Sequence, residues 1–289
     1  MMQETENEQL LRISRDALAG IRGYSAQELY GILLKNEDAR DYYIISLQNR
    51  ESYAEGHIPG AIWWDVDLAD PSSALDSLPK DKQIIVTCDN GQRSNQIALF
   101  LRQLGYDAHA LMFGLVGWNQ SYAGSGAYRG DSGYPVTSEE AALDTTLQFS
   151  SPVSSVEDEA LILQRTAQYA HQGRNTDISP DELLNTQENV LIISMQRPQD
   201  YTYSHIAGSV NISANDFLNG SESLLSLPRD RKIVVTCYIG HYSNIGALLL
   251  NQLGYEAYSL EWGLAGWNLK GFRVPLPILE ISADFPIEN

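Results

Sequence analysis

The stretch IIVTCDNGQRSN, residues 84–95, passes from an apolar, β-branched run through a cysteine into polar residues able to open a helix. A run this apolar reads as a strand buried on both faces, the habit of parallel sheets covered by helices. Gly91 lets the turn reverse within a few residues. Beyond it, SNQIALFLRQLG (94–105) sets Ile97, Leu101 and Leu104 at helical spacing, with Ser94 as expected N-cap and Gly105 at the stop. The same frame returns as IVVTCYIGHYSN, residues 233–244, around the only other cysteine.

The offset that carries Cys88 to Cys237 also carries Gly91 to Gly240, Ser94 to Ser243, Gly105 to Gly254, Gly114 to Gly263 and Trp118 to Trp267. His57 and His205 follow with a slip of one residue. A repeat of this length is a whole domain. In the first copy YYIIS (42–46), IIVTC (84–88) and AHALM (108–112) read as strands; VLIIS (190–194), IVVTC (233–237) and AYSLE (257–261) take their places in the second. The fold class is therefore α/β, in two tandem copies, each a central parallel sheet flanked by helices. The division is an N-terminal extension (1–21), a first domain (22–122), a linker (123–176), a second domain (177–275) and a tail (276–289). Within the turn-rich linker, 154–171 predicts a capped helix with Val156, Ala160, Leu163, Ala167 and Ala170 along one face, and the RGD triplet at 129–131 is assigned to chance.

At 289 residues the chain suits two domains, each large enough for its own core. Its 37 acidic and 19 basic side chains give a formal charge of −18. Such a charge repels phosphate backbones and anionic surfaces, so no nucleic-acid partner is expected. No run approaches the ~18 apolar residues of a membrane span. The start, MMQETENEQLLR, lacks a basic segment followed by an apolar one, so no signal peptide is read there. Compartment stays open, cytoplasmic by default or exported after loss of a leader, and the sequence does not name an oligomeric state. Two cysteines make no disulfide framework and are read as free thiols.

A nucleophilic thiol must ionise, and free cysteine titrates near 8.5. Where a strand feeds a helix, unpaired amides and the helix dipole converge, and a loop containing glycine can wrap those amides around sulfur. In the first loop Asp89, Asn90, Gly91, Gln92, Arg93 and Ser94 follow Cys88, with Arg93 the fixed cation for an oxyanion. In the second, Tyr238, Ile239, Gly240, His241, Tyr242 and Ser243 follow Cys237. A lone buried cysteine at a strand end is ordinarily a small hydrophobe; two in register with a following glycine favour chemistry.

The Cys88–Ser94 loop resembles the Cys-x-x-Gly-x-Arg-Ser loop of rhodanese-like sulfurtransferases. GHIPGA (56–61) is similar to their strand–turn signature, and LMFGLVGW (111–118) to their closing Gly…Trp segment. The resemblance covers about 22–122 and 177–272. It implies a parallel sheet of about five strands and a ping-pong reaction. Cysteine takes sulfane sulfur from a donor anion such as thiosulfate or polysulfide, and the persulfide passes it to cyanide or a thiol. It implies no metal and no organic cofactor.

Several positions depart from that pattern. The family's Asp-x-Arg aligns with Ser46-Leu47-Gln48 and Ser194-Met195-Gln196, which reads as a buried ion pair replaced by a neutral one. Tyr242 stands where the first loop has Arg93, which weakens a hold on anionic donors and makes Cys88 the principal nucleophile and Cys237 the second. His241 is read as an exposed loop residue that substitutes for the cation if protonated. Asp89 disfavours both a thiolate and an anionic donor. His57 and His205 are read as structural, and Trp118 and Trp267 as core. The pair Trp63-Trp64 is given no role. Two alternatives stay open: a non-catalytic sulfur carrier or interaction module, and a cysteine phosphatase, whose Cys-x5-Arg loop is one residue longer than Cys88–Arg93.

Overall fold

The structure, a computed structural model, describes residues 4–35, 41–143, 151–170, 172, 176–220, 222–273 and 282–289. The described residues of 1–18 and 130–276 cluster in one compact unit, and those of 19–129 and 277–289 in the other.

In the unit built on residues 19–129, the strands are β1 (Gly23–Tyr24), β2 (Tyr42–Ser46), β3 (Ile62–Trp63), β4 (Gln83–Thr87) and β5 (Ala108–Leu111). They pair in parallel in the order β1-β5-β4-β2-β3. The other unit contains β6 (Val136–Thr137), β7 (Asp177–Ile178), β8 (Val190–Ser194), β9 (His205–Ile206), β10 (Val210–Asn211), β11 (Lys232–Thr236) and β12 (Ala257–Leu260). Its parallel sheet runs β7-β12-β11-β8-β10, the same order, and β6 pairs β9 antiparallel. The central strand of each sheet is β4 or β11. Ile84, Ile85 and Val86, like Ile233, Val234 and Val235, are fully buried, as strands with helices on both faces require. Both cysteines follow immediately after these central strands.

The helix after the first cysteine spans Gln92–Gln103, and its repeat spans His241–Gln252. Each begins two residues before the serine expected to cap it. The cap is Gly91 or Gly240, at φ +81° and +88°, a left-handed turn that glycine adopts without penalty. Gly105 and Gly254 follow the helix ends at φ +83° and +88°, as predicted.

The linker helix spans Asp158–Ala170, and its buried face is not the predicted one. Leu161, Ile162, Thr166 and Tyr169 are covered, while Ala160 is exposed and Val156, Leu163, Ala167 and Ala170 are half-buried. Four bulky side chains outweigh an alanine stripe in area removed from water. Thr166 also accepts a hydrogen bond from Gln252 Nε2 at 3.0 Å. The N-terminal extension forms a helix, Glu6–Ala19, tied to the linker helix by Gln9–Asp158 (2.7 Å), Arg12–Asp158 (2.9 Å) and Arg165–Glu6 (2.6 Å).

The Ser/Gln pairs are buried as expected. Ser46 Oγ donates to Gln48 Oε1 at 2.8 Å and Gln48 Nε2 to Gly56 O at 3.1 Å. In the repeat, Ser194 Oγ donates to Gln196 Oε1 at 2.8 Å and Gln196 Nε2 to Ser204 O at 3.0 Å. A neutral chain of hydrogen bonds thus ties the second strand to the following turn without burying charge. Gln196→Ala, which leaves two buried polar groups unpartnered, is expected to cost about 1–3 kcal/mol in denaturant unfolding, and Gln48→Ala a similar amount.

Candidate functional site

Each cysteine sits at the carboxyl end of its central strand, where the chain turns inward before the helix. The Gly91 amide points at Cys88 Sγ, 3.2 Å away, and the Gly240 amide at Cys237 Sγ, also 3.2 Å. Ser94 Oγ and Asn95 Nδ2 donate to Gly91 O at 3.0 and 2.6 Å. Ser243 Oγ and Asn244 Nδ2 do the same to Gly240 O at 3.1 and 3.2 Å. Asn90 Oδ1 lies 3.8 Å from Cys88 Sγ, and Ser243 Oγ lies 3.6 Å from Cys237 Sγ.

A second helix start grips each loop from outside. In the first unit, the helix Gly114–Asn119 donates from Leu115 N to Cys88 O (3.0 Å) and from Val116 N to Asp89 O (2.9 Å). In the second, the helix Gly263–Trp267 donates from Leu264 N to Cys237 O (2.8 Å) and from Ala265 N to Tyr238 O (2.9 Å). A Cβ on Gly114 would fall 2.0 Å from Cys88 O, and one on Gly263 would fall 2.4 Å from Cys237 O. The residues before them, Phe113 and Trp262, sit at φ +62° and +57°, a left-handed strain of roughly 1–2 kcal/mol each that the surroundings hold in place.

A Rhodanese-like domain model matches residues 25–121 and 179–270, the two segments that carry these loops. The chain belongs to the rhodanese-like domain family. It is 32% identical over 95 residues to a thiosulfate sulfurtransferase, GlpE, of Stutzerimonas stutzeri, across 31% of this chain and 82% of that one. It is 38% identical over 68 residues to a tRNA sulfurtransferase of Pyrobaculum aerophilum, across 24% of this chain and 14% of that protein. A solved thiosulfate sulfurtransferase of Pseudomonas aeruginosa aligns at 18% identity over 90% of this chain and 47% of that chain, with a TM-score of 0.32.

Both rhodanese-like thiols are buried, Cys88 at 5% exposure and Cys237 at 2%, and this changes the electrostatic expectation. Burial pushes the Cys88 thiol up from its ordinary value. The Ser94 amide and hydroxyl and the Asn90 amide pull it down, while the Asp89 charge pushes it up further. Lost hydration outweighs the amides at Cys88, so the net push is toward the thiol, against the expectation that the loop favours a thiolate. Asp89 is itself raised to about 6, by burial first, against the lowering pull of Arg93. Its Oδ1 is buried without a hydrogen-bond partner.

Of the remaining loop residues, Asn90, Tyr238 and Ile239 are half-buried, Gln92, Ser94 and Ser243 buried, and Arg93 and Tyr242 exposed. Arg93 lines a cavity of about 430 Å³ together with Gln48, Arg50, Trp63, Trp64 and Asp65, which gives the tryptophan pair a place beside the loop. A larger cavity, about 530 Å³, opens around Val190 and Lys232 at the amino ends of β8 and β11, the opposite end of that sheet from Cys237. Volume alone therefore does not mark the thiol sites. His241 is buried at 2% exposure, which corrects its reading as an exposed substitute cation: the helix start turns it inward. The cation near the second loop is Arg197, unnoticed in the sequence. Its amide donates to Tyr238 Oη at 3.1 Å and its Nε to Asp200 at 2.8 Å, and Tyr238 Oη also bonds Asp200. The signal was there in Gln48-Asn49-Arg50 and Gln196-Arg197, an arginine one step out of register.

His57 stacks on Tyr53 (3.8 Å between centroids) and places Nδ1 2.9 Å from Tyr53 O. His205 stacks on Tyr201 (3.7 Å), with Nδ1 2.6 Å from Tyr201 O and Nε2 3.0 Å from Glu139 O. These are framework positions. Among the described residues no cluster of His, Cys, Asp and Glu is suited to a metal ion, and no helix is long and apolar enough to cross a membrane.

Two outcomes follow from this geometry. Gly114→Ala is expected to lose about 2–4 kcal/mol, because the new methyl meets backbone rather than a movable side chain and φ is +49°. Asp89→Asn is expected to stabilise the protein at pH 7.5 by about 2 kcal/mol, and not at pH 4. The sign follows from the raised carboxyl: the native state holds the proton more tightly, so stability is complete below the unfolded value and is lost as pH rises through about 6. Thermal unfolding of both forms across that window checks it.

Proposed function

We propose that the chain moves sulfane sulfur through a persulfide on Cys88, with Cys237 as a second and weaker site. The observation that carries this reading is the Gly91 amide held on Cys88 Sγ at 3.2 Å, in a loop whose carbonyls are fixed from outside by Leu115 and Val116. With those carbonyls engaged elsewhere, the loop's N–H groups are left to face sulfur. The family membership and the sulfurtransferase names of the relatives agree with it.

The step begins with loss of the Cys88 proton. The sulfur then attacks the outer sulfur of a donor such as thiosulfate; the donor S–S bond breaks, its electron pair leaves with sulfite, and Cys88 holds the persulfide. A thiolate or cyanide attacks the terminal sulfur in turn, and the electron pair of the breaking bond returns to Cys88 Sγ. Arg93 at the rim, with Arg50 across the 430 Å³ cavity, supplies positive charge for an anionic donor in a chain of strongly negative net charge. The second loop presents the uncharged Tyr242 at the same position, which supports ranking Cys237 below Cys88.

Incubation of the reduced protein with thiosulfate or polysulfide is expected to add about 32 Da, one sulfur, to the Cys88 peptide, and Cys88→Ser to abolish thiocyanate formation with cyanide. Sulfur on neither cysteine overturns the reading. Arg93→Ala is expected to raise the KM for thiosulfate roughly tenfold, the scale of one lost charge-assisted contact, with a smaller change for Tyr242→Ala.

A further inference from the structure

Two segments outside the family match make the same contacts on the two domains. DSGYPVT (131–137) packs against the second domain, and SADFPIE (282–288) against the first. Ser132 N donates to Gly266 O (2.9 Å) and Ala283 N to Gly117 O (3.0 Å); Tyr134 N donates to Trp267 O (3.2 Å) and Phe285 N to Trp118 O (3.0 Å). Trp267 Nε1 reaches Pro135 O at 2.9 Å, and Trp118 Nε1 reaches Pro286 O at 2.8 Å. Asn268 Nδ2 donates to Tyr134 O (2.6 Å) and Asn119 Nδ2 to Phe285 O (3.1 Å). Gly133 and Asp284, at matching places, both have positive φ, +69° and +50°.

The bound backbone carbonyls and side chains belong to the two short helices that grip the thiol loops. On the first domain the path is contiguous: Phe285 and Pro286 hold Trp118 and Asn119, and one turn earlier Leu115 and Val116 hold the carbonyls of Cys88 and Asp89. The Phe285 ring adds apolar contact, 5.2 Å from Trp118 and stacked on Tyr30 at 4.1 Å. Tyr134 lies 5.0 Å from Trp267 in the same way. Further along, each strap reaches the histidine turn of its domain. Glu288 and His57 exchange backbone hydrogen bonds, and Thr137 lies opposite His205 in the β6–β9 pair.

We propose that these straps are positioning elements of one specificity, an aromatic–Pro–β-branched segment read by the Trp-Asn end of each short helix, with 282–288 setting the Cys88 loop and 131–137 setting the Cys237 loop. For its bearing on catalysis this rests on the persulfide reading; for loop geometry it stands alone. The contacts common to both grooves are main-chain hydrogen bonds and one aromatic ring, and the side-chain bonds Tyr134 Oη–Asp181 and Gly60 N–Glu288 are particular to one strap each, so the shared part discriminates little between Tyr and Phe or between Val and Ile.

The test uses two full-length chains, one with residues 282–288 replaced by DSGYPVT and one with a Gly/Ser heptapeptide there. Alkylation of the reduced proteins by iodoacetamide is followed on the Cys88 and Cys237 peptides by mass spectrometry, with Cys237 as the internal reference. The Gly/Ser chain is expected to alkylate at Cys88 about tenfold faster, as a buried loop does when it opens locally, with Cys237 unchanged. The DSGYPVT chain is expected to keep wild-type rates at both. An unchanged Cys88 rate in the Gly/Ser chain, an equal change at both cysteines, or a DSGYPVT chain that behaves like the Gly/Ser chain overturns the proposal. If the Gly/Ser chain does not fold, the DSGYPVT chain decides: folding with the wild-type Cys88 rate supports it, and any other result overturns it. Alkylation needs no sulfur donor, so absence of sulfur loading would remove the persulfide reading and leave this result standing.

Discussion

Leu115 N donates to Cys88 O at 3.0 Å, and Leu264 N donates to Cys237 O at 2.8 Å. On this bond the rest of each site depends. The four residues between each buried strand and its helix, 88–91 and 237–240, need partners for their carbonyls as well as their amides, and a carbonyl left facing the sulfur would oppose any negative charge there. By taking the cysteine carbonyl and the next one into a second helix start, each domain leaves the glycine amide, Gly91 N or Gly240 N, directed at the thiol. That arrangement needs close backbone approach, which is why glycine stands at 114 and 263. It also forces Phe113 and Trp262 into left-handed geometry, a cost the fold accepts twice.

The same constraint explains what was legible in the sequence. The central strands, the helix-ending glycines Gly105 and Gly254, the closing Gly…Trp segments and the two-copy plan were visible because each rests on local pattern: apolar runs, glycine at fixed offsets, one long repeat. The Ser/Gln pair was legible as a neutral replacement because both copies made the same change at the same place. Less visible was anything set by the third dimension. The linker helix offered an alanine stripe at ideal spacing, yet Tyr169, Ile162 and Leu161 face inward. His241 looked exposed in a loop, but Gly240 already caps the helix, so the histidine occupies its first, covered turn.

The straps were missed for a related reason. DSGYPVT and SADFPIE share only their proline by identity; what repeats is residue class and backbone conformation. Hydrogen bonds to main-chain carbonyls place little demand on side-chain identity, so a structural repeat can persist where the sequence repeat has faded. Asp131, part of a triplet assigned to chance, accepts from Leu269 N at 2.8 Å, and Ser282 accepts from Gln120 N at 3.2 Å in the equivalent place.

Burial and charge then distinguish the two thiols. Around Cys88 the enclosing residues include a carboxylate, Asp89, half-buried and poorly partnered, with Arg93 acting on it from the exposed side. Around Cys237 the same place holds Tyr238, whose hydroxyl is fully engaged by Arg197 and Asp200. The first loop therefore carries a titrating carboxyl beside its sulfur, and the second a tyrosine held by an ion pair, Arg197–Asp200. A charge of either sign near a buried thiol changes its reactivity more than it would in water, because little solvent screens it. Repetition of the backbone thus fixed where the sulfurs sit, and divergence within the loops, at Asp89 against Tyr238 and Arg93 against Tyr242, set the charge around each.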